Sequence, residues 1–189
     1  MPEQERTNIK TYRVKNLTCV PTVRLLHDKL TDNGFRVKDI TYGKLTLLTG
    51  HDSFNEELLV AILNRYGMDL IHDREEQLVE EIKIAVHELI HDLNNMNSII
   101  RRSDFLVEKL SYSYSYLSKL FSAHEKITLE KYIIQEKIER IKELIIQDEY
   151  TLSEIAYMMG YSSVQYLSNQ FRKITGEKVS VFKQRILAL

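Results

Sequence analysis

The chain has 189 residues, 43% apolar and 28% charged, with 26 basic against 27 acidic side chains. That is one or two small domains with enough apolar material for real cores, and two prolines with six glycines exclude collagen-like or Pro/Gly-rich disorder. The short apolar runs predict no membrane span, the polar start Met1–Lys10 reads as no secretion signal, and a single cysteine, Cys19, excludes an internal disulfide and fits a reducing, cytoplasmic compartment.

In chain order, Thr11–Leu17 carries Tyr12, Val14 and Leu17, a short strand ended by Thr18-Cys19-Val20-Pro21. Val23, Leu26 and Leu30 then recur at helical spacing, and Asn33-Gly34 stops that helix. Phe35–Ile40 and Lys44–Leu48 read as strands joined by a hairpin turn at Thr41-Tyr42-Gly43. Ser53, with Glu56 three residues on, is expected to cap a helix carrying Leu58, Leu59, Ile62 and Leu63 and ending at Gly67. Met68–Ile71 supplies a last strand. The order strand-helix-strand-strand-helix-strand predicts a ferredoxin-like, α+β front domain (βαββαβ) over residues 11–73.

From Arg74 the period is helical: Leu78, Ile82, Ala85, Leu89 and Leu93 form one stripe, a connecting helix over 74–97 with a break at Asn94-Asn95-Met96-Asn97. Within it, His87-Glu88-Leu89-Ile90-His91 fits the His-Glu-x-x-His pattern, in which two histidines on one helix face bind zinc and the Glu is general base. Asn94 and Asn97 stand where such enzymes place a Gly and a third His, and both histidines fall on the polar face, so the expectation is solvated surface histidines and no enzyme. A zinc hydrolase using His87, Glu88 and His91 remains the alternative.

Residues 98–189 are expected to form an all-α unit built on an internal repeat. Tyr116-Leu117-Ser118-Lys119-Leu120-Phe121 recurs fifty positions later as Tyr166-Leu167-Ser168-Asn169-Gln170-Phe171. Each copy follows a short amphipathic helix and a turn, Ser111-Tyr112-Ser113 in the first and Gly160-Tyr161-Ser162-Ser163 in the second. Between them Leu129, Ile133, Ile134, Ile138, Ile141 and Ile145 mark one long helix. Two short helices joined by a tight turn describe a helix-turn-helix. Gly160 supplies a residue tolerant of positive φ, and Ser113 and Ser163 can cap the second helices. Hydroxyl, amide and amine groups on their first turns, at Ser115, Ser118, Lys119, Gln165, Ser168 and Asn169, suit base edges or phosphates. The charge agrees: residues 1–100 hold 12 basic against 16 acidic groups, and 101–189 hold 14 against 11. A helical bundle that merely caps well is the structural alternative, which matched spacing in the basic half argues against.

On these residues, 103–185 resembles the tandem helix-turn-helix DNA-binding domain of AraC-type transcriptional regulators. The resemblance also rests on Lys137-Ile138-Glu139-Arg140-Ile141-Lys142-Glu143-Leu144, on Leu152-Ser153-Glu154-Ile155-Ala156, and on Gly160 through Gly176. It implies a domain of six to seven helices placing two recognition helices in successive major-groove segments of double-stranded DNA. Ser113, Tyr114, Ser115, Ser118 and Lys119 would line the first, and Ser163, Val164, Gln165, Ser168 and Asn169 the second. Apart from the resemblance, Arg172 is expected to contact phosphates, whose neutralisation releases counterions, and Lys173 joins the candidate DNA-binding residues. Ser111 stands where the first turn often has Gly, and Asn169 where the family often has Arg.

The family's usual sugar-binding barrel does not fit in so short a front unit. Val14–Asp73 instead resembles the heavy-metal-associated domain, a ferredoxin-like fold with a Cys-x-x-Cys loop after its first strand. Here the loop reads Asn16-Leu17-Thr18-Cys19-Val20-Pro21-Thr22, with Thr22 in place of the second thiol. Two thiolates make soft-metal binding strong, so Cys19 is either a ligand completed by another chain or a His, or a small side chain at the edge of the core. Its place before a helix favours a thiolate, which keeps redox chemistry open. No cofactor is expected. The front domain is expected to sense a signal or to mediate contacts with a second copy or a protein partner.

Overall fold

The computed structural model describes residues 8–49, 54–91 and 102–187, and the chain divides into two compact units at 84/85. The first unit runs β1 (Ile9–Lys15), α1 (Val20–Asp32), β2 (Arg36–Thr41), β3 (Lys44–Leu48), α2 (Glu56–Arg65) and β4 (Asp69–Leu70). The four strands form one antiparallel sheet in the order β2-β3-β1-β4. Alternation along the strands places Tyr12, Val14, Leu45, Leu47 and Leu70 in one core with Leu26 and Leu30 of α1 and Leu59, Ile62 and Leu63 of α2. Burying each such leucine is worth roughly 1.5–3 kcal/mol.

The local devices are mostly those the sequence advertises. Val37 and Ile40 of β2 pair with Leu47 and Leu45, and Thr41 pairs with Lys44, so Tyr42-Gly43 closes a two-residue hairpin. Gly43 has φ 66°, its N–H donates to the Leu17 carbonyl at 2.7 Å, and a Cβ there would meet Ile84 at 3.0 Å. α1 opens at Cys19 with Pro21 in its first turn and closes at Asn33, followed by Gly34 at φ 82°. One expectation moves. The proposed cap Ser53 lies outside the described residues, and α2 is capped by Asn55, whose Oδ1 accepts from the Leu58 N–H at 3.0 Å. Asparagine is as good a cap as serine, and it leaves Glu56 and Glu57 in the first turn, where the helix dipole favours them.

α3 (Arg74–His91) contains the division point. Leu78, Ile82, Ala85 and Leu89 are buried as expected, but so are Val79, Val86 and Ile90, so the buried face is wider than one stripe. Leu93 and the expected break at Asn94–Asn97 lie outside the described residues. Two charged side chains share the buried face, Glu80 and Lys83, whose ion pair is 2.7 Å long. Lys83 also donates to Asn16 Oδ1 at 3.1 Å, and the Asn16 N–H donates to Glu80 at 2.8 Å. Asn16 itself is left-handed (φ 62°) and its side-chain amide donates to the Gly67 carbonyl at 2.7 Å. The pair thus has the further hydrogen bonds without which buried charge is strongly unfavourable.

In the second unit α4 (Arg102–Leu110), α5 (Tyr114–Glu125), α6 (Leu129–Gln147), α7 (Leu152–Met158), α8 (Val164–Thr175) and α9 (Val179–Leu187) follow in order. α6 packs against α5 and against α7, α8 and α9. Leu106, Leu117, Leu120, Phe121, Leu129 and Ile133 are buried in the first half, with the Phe121 and Tyr132 rings 5.0 Å apart. Ile138, Ile141, Leu144, Ile145, Ile155, Ala156, Met159, Leu167, Phe171, Val179 and Phe182 form one core in the second. Ile134, expected in the buried stripe of α6, is only half-buried, while Lys137 is 3% exposed.

Candidate nucleic-acid interface

α5 and α8 begin at the two serines that the sequence marks as caps. Ser113 Oγ accepts from the Tyr116 N–H at 3.3 Å and Ser163 Oγ from the Tyr166 N–H at 3.1 Å. In each helix the position four after the cap is buried (Leu117, Leu167), and so is the one eight after it (Phe121, Phe171). With these side chains anchored, 3.6 residues per turn leave the positions two and six after the cap on the outer face.

That face carries the expected groups. On α5, Ser113, Ser115 and Lys119 are exposed, while Ser118 is half-buried. Tyr114 is also half-buried, and its hydroxyl donates to Glu130 Oε1 at 2.9 Å, tying α5 to the first turn of α6. The Glu130 carboxyl lies below its ordinary range because its own backbone N–H bonds it, against burial, and the hydroxyls of Tyr114, Thr128 and Ser118 add to that. On α8, Ser163, Gln165, Asn169, Arg172 and Lys173 are exposed and Ser168 is half-buried. Gln165 Nε2 donates to Asn169 Oδ1 at 3.1 Å, which holds two amides side by side on successive turns. Val164 is half-buried and packs against the core of this half.

In the sequence, Tyr116 and Tyr166 stand out only as matching positions of the repeat. Tyr116 is 42% exposed and Tyr166 56% exposed, each on the first turn of its helix. Tyr116 stacks on Tyr112 with centroids 5.3 Å apart, and Tyr166 lies 5.7 Å from Tyr161. The signal for them was present: a large side chain three after the cap and one before a buried leucine falls on the outer face.

Cys19 and the two histidines are placed differently. The Thr22 hydroxyl donates to the Cys19 carbonyl at 2.7 Å, accepts from the Cys19 N–H at 3.3 Å and lies 3.4 Å from Sγ. Thr22 thus closes this loop with a hydroxyl where a soft metal needs a second thiolate, and the residues present do not fit such a site. His87 and His91 are half-buried rather than solvated, with their rings stacked at 4.0 Å. The wider buried face of α3 covers them, since Lys83, Val86 and Ile90 are buried on the flank where the histidines lie. His91 Nδ1 is 3.5 Å from Glu143, and Glu88 is paired with Lys109. Among the described residues no group of three or more His, Cys, Asp or Glu side chains is placed to hold a metal ion, and no helix is long and apolar enough to cross a membrane.

Residues 106–185 match the family described as Helix-turn-helix domain. The Msm operon regulatory protein of Streptococcus mutans is 26% identical over 133 residues, 69% of this chain and 45% of that protein. The Xylose operon regulatory protein of Escherichia coli K12 is 30% identical over 89 residues, 47% of this chain and 23% of that protein. The chain thus spans less than half the length of these relatives. A solved structure of the C-terminal domain of AraT, a response regulator from Geobacillus stearothermophilus, is similar with a TM-score of 0.48 and 21% identity, covering 60% of this chain and 88% of that one.

Proposed function

We propose that this chain is a sequence-specific transcriptional regulator of the AraC type, which binds double-stranded DNA through α5 and α8 and is not an enzyme. The observation that carries the reading is the repeat itself. Two serine-capped helices, fifty residues apart, bury the same two anchor positions, four and eight after the cap, and turn the positions two and six after it outward, inside a segment that matches a helix-turn-helix family. Ser113, Tyr114, Ser115, Ser118 and Lys119 are the proposed contacts of the first helix. Those of the second are Ser163, Val164, Gln165, Ser168 and Asn169. Arg172 and Lys173 are proposed to meet phosphates, which position the protein without reading sequence.

The proposed domains are 11–73, a connecting helix over 74–97, and 98–189. We assign the first to the ferredoxin-like fold, a reading supported by its helix and strand order and by the sheet order β2-β3-β1-β4. Because the loop at Cys19 and Thr22 does not suit a soft metal, this domain is proposed to receive its signal through a second copy or a protein partner. A cytoplasmic location goes with this reading.

The test is a selection of bound sequences from random double-stranded DNA with the full chain. Expected is an asymmetric site of about two turns, its two blocks about 34 Å apart, because two reading helices on one chain need no palindrome. No enrichment of any sequence at physiological salt would overturn the reading. A symmetric site that demands two chains would move its geometry to a dimer.

A further inference from the structure

The middle of α6 holds a buried cation that the reading of α8 as a DNA-reading helix leaves unexplained. Lys137 is 3% exposed, one residue before Ile138 of the core, and its Nζ donates to the carbonyl of Met159 at 2.5 Å. Met159 closes α7, and the last carbonyls of a helix have no partner within it and carry the negative end of the dipole. The ammonium therefore caps the first helix of the second helix-turn-helix from outside that motif.

The same ammonium lies 5.1 Å from the centroid of Tyr161. Tyr161 is the second residue of the turn, and its N–H reaches back to the Ala156 carbonyl at 2.8 Å. Its ring in turn lies 5.7 Å from Tyr166, whose N–H is the one capped by Ser163. One side chain on α6 thus touches the end of α7 and the turn, and through the turn's tyrosine the first turn of α8. A buried ammonium is strongly unfavourable unless fixed dipoles compensate it, so the bond to the Met159 carbonyl favours the shape of the turn that places that carbonyl here.

We propose that Lys137 is a positioning residue for α8: it selects the one turn geometry that presents Gln165 and Asn169, and it contacts no DNA itself. The proposal deepens the DNA-binding reading and rests on it for its consequence, although its structural part stands apart from any ligand.

The experiment compares the full-length wild type with Lys137→Met, which keeps the length of the stem, and Lys137→Arg, which keeps charge and donors. Amide hydrogen exchange without DNA comes first. In Lys137→Met the amides of residues 159–166 are expected to exchange roughly ten- to a hundredfold faster, the fold-change matching one lost hydrogen bond to a charged group. Those of residues 111–117 should keep their wild-type rates, and Lys137→Arg should restore most of the protection at 159–166. Selection from random DNA comes second. Lys137→Met should keep the block read by α5 and lose information in the block read by α8. Should Lys137→Met fail to fold, Tyr161→Leu removes the ring the ammonium faces and should loosen the same amides by a smaller factor. Unchanged exchange at 159–166, or faster exchange spread evenly over both copies, would overturn the proposal. If the wild type enriches no sequence, the DNA reading falls while the exchange result still decides whether Lys137 sets the turn.

Discussion

The two helix-turn-helix copies repeat at fifty residues through α5 and α8 but not through the turns that lead into them. In the second copy α7 closes with Gly160 at φ 69°; the Gly160 N–H donates to Tyr157 and the Tyr161 N–H to Ala156. That pair of backward bonds is the Schellman closure. In the first copy α4 closes with Ser111 at φ 60°, whose N–H alone returns to Val107 at 2.9 Å, the simpler left-handed closure. One residue, Tyr112, then separates it from the cap Ser113, where Tyr161 and Ser162 separate Gly160 from Ser163. The ends of the second helices differ in the same sense: Lys126 is left-handed at φ 57° where the second copy has Gly176 at φ 83°. The first copy thus holds two side chains in a conformation that glycine adopts without cost, and the second uses glycine both times. What repeats is the placement of a capped, anchored helix, and the route of the chain into it is free to vary.

The comparison can be broken first at the cores. Phe121 and Phe171 are both fully buried at equivalent positions, so Phe121→Ala and Phe171→Ala should each cost about 3–5 kcal/mol in urea unfolding. A large inequality would mean that the two anchors are not equivalent. At the outer face, Lys119→Ala and Gln165→Ala should each weaken specific DNA binding by roughly 1–3 kcal/mol if both copies read bases. A loss confined to one of them, measured on the selected site, would assign base reading to that copy alone.

The turns predict smaller effects of opposite sign. Ser111→Gly and Lys126→Gly should each stabilise by roughly 0.5–1 kcal/mol, and Gly160→Ser and Gly176→Lys should each destabilise by about 1–2 kcal/mol. A Cβ at Gly176 meets nothing within 4 Å, so there the cost is conformational alone. The smallest expected effect is electrostatic. Glu154, held by the Thr151 backbone N–H and hydroxyl at 2.7 and 2.8 Å, lies below the ordinary carboxylate range, as Glu130 does. A depressed folded value stabilises above the unfolded carboxylate pKa of about 4.3 and is lost as pH falls through that value towards the folded one. Stability measured from neutral pH downward should therefore fall less steeply in Glu154→Gln and in Tyr114→Phe than in the wild type.

Much of this was legible in the residues, and the exceptions share a cause. The element order of the front unit, the repeat, the caps Ser113 and Ser163 and the positive φ of Gly160 all follow from periodicity and turn chemistry. Ser111 gave no such signal of its own, because serine is common in turns of every kind; only its place where the resembled family often has Gly pointed to a left-handed residue. Apolar counting placed the buried stripe of α6 but passed over Lys137, and it gave α3 one stripe where Val79, Val86 and Ile90, together with Glu80 and Lys83, widen the buried face. That same blindness made His87 and His91 look solvated. A charged residue at a core position is readable only when its partner is known, and Met159 lies twenty-two positions from Lys137 while Asn16 lies sixty-four from Glu80.

The Glu80–Lys83 pair also constrains how this sequence can change over generations. Removing one partner of a buried pair costs about 3–5 kcal/mol, whereas replacing both with apolar residues of similar volume is often neutral. Domains have only about 5–15 kcal/mol of stability to lose, so either single step crosses a deep fitness valley and the two positions cannot drift independently. Asn16 belongs to the same unit, since its backbone and side chain bond both charges. Among descendants of this chain, positions 16, 80 and 83 are therefore expected to be replaced together or retained together, a correlated pattern that a set of aligned sequences would expose at once.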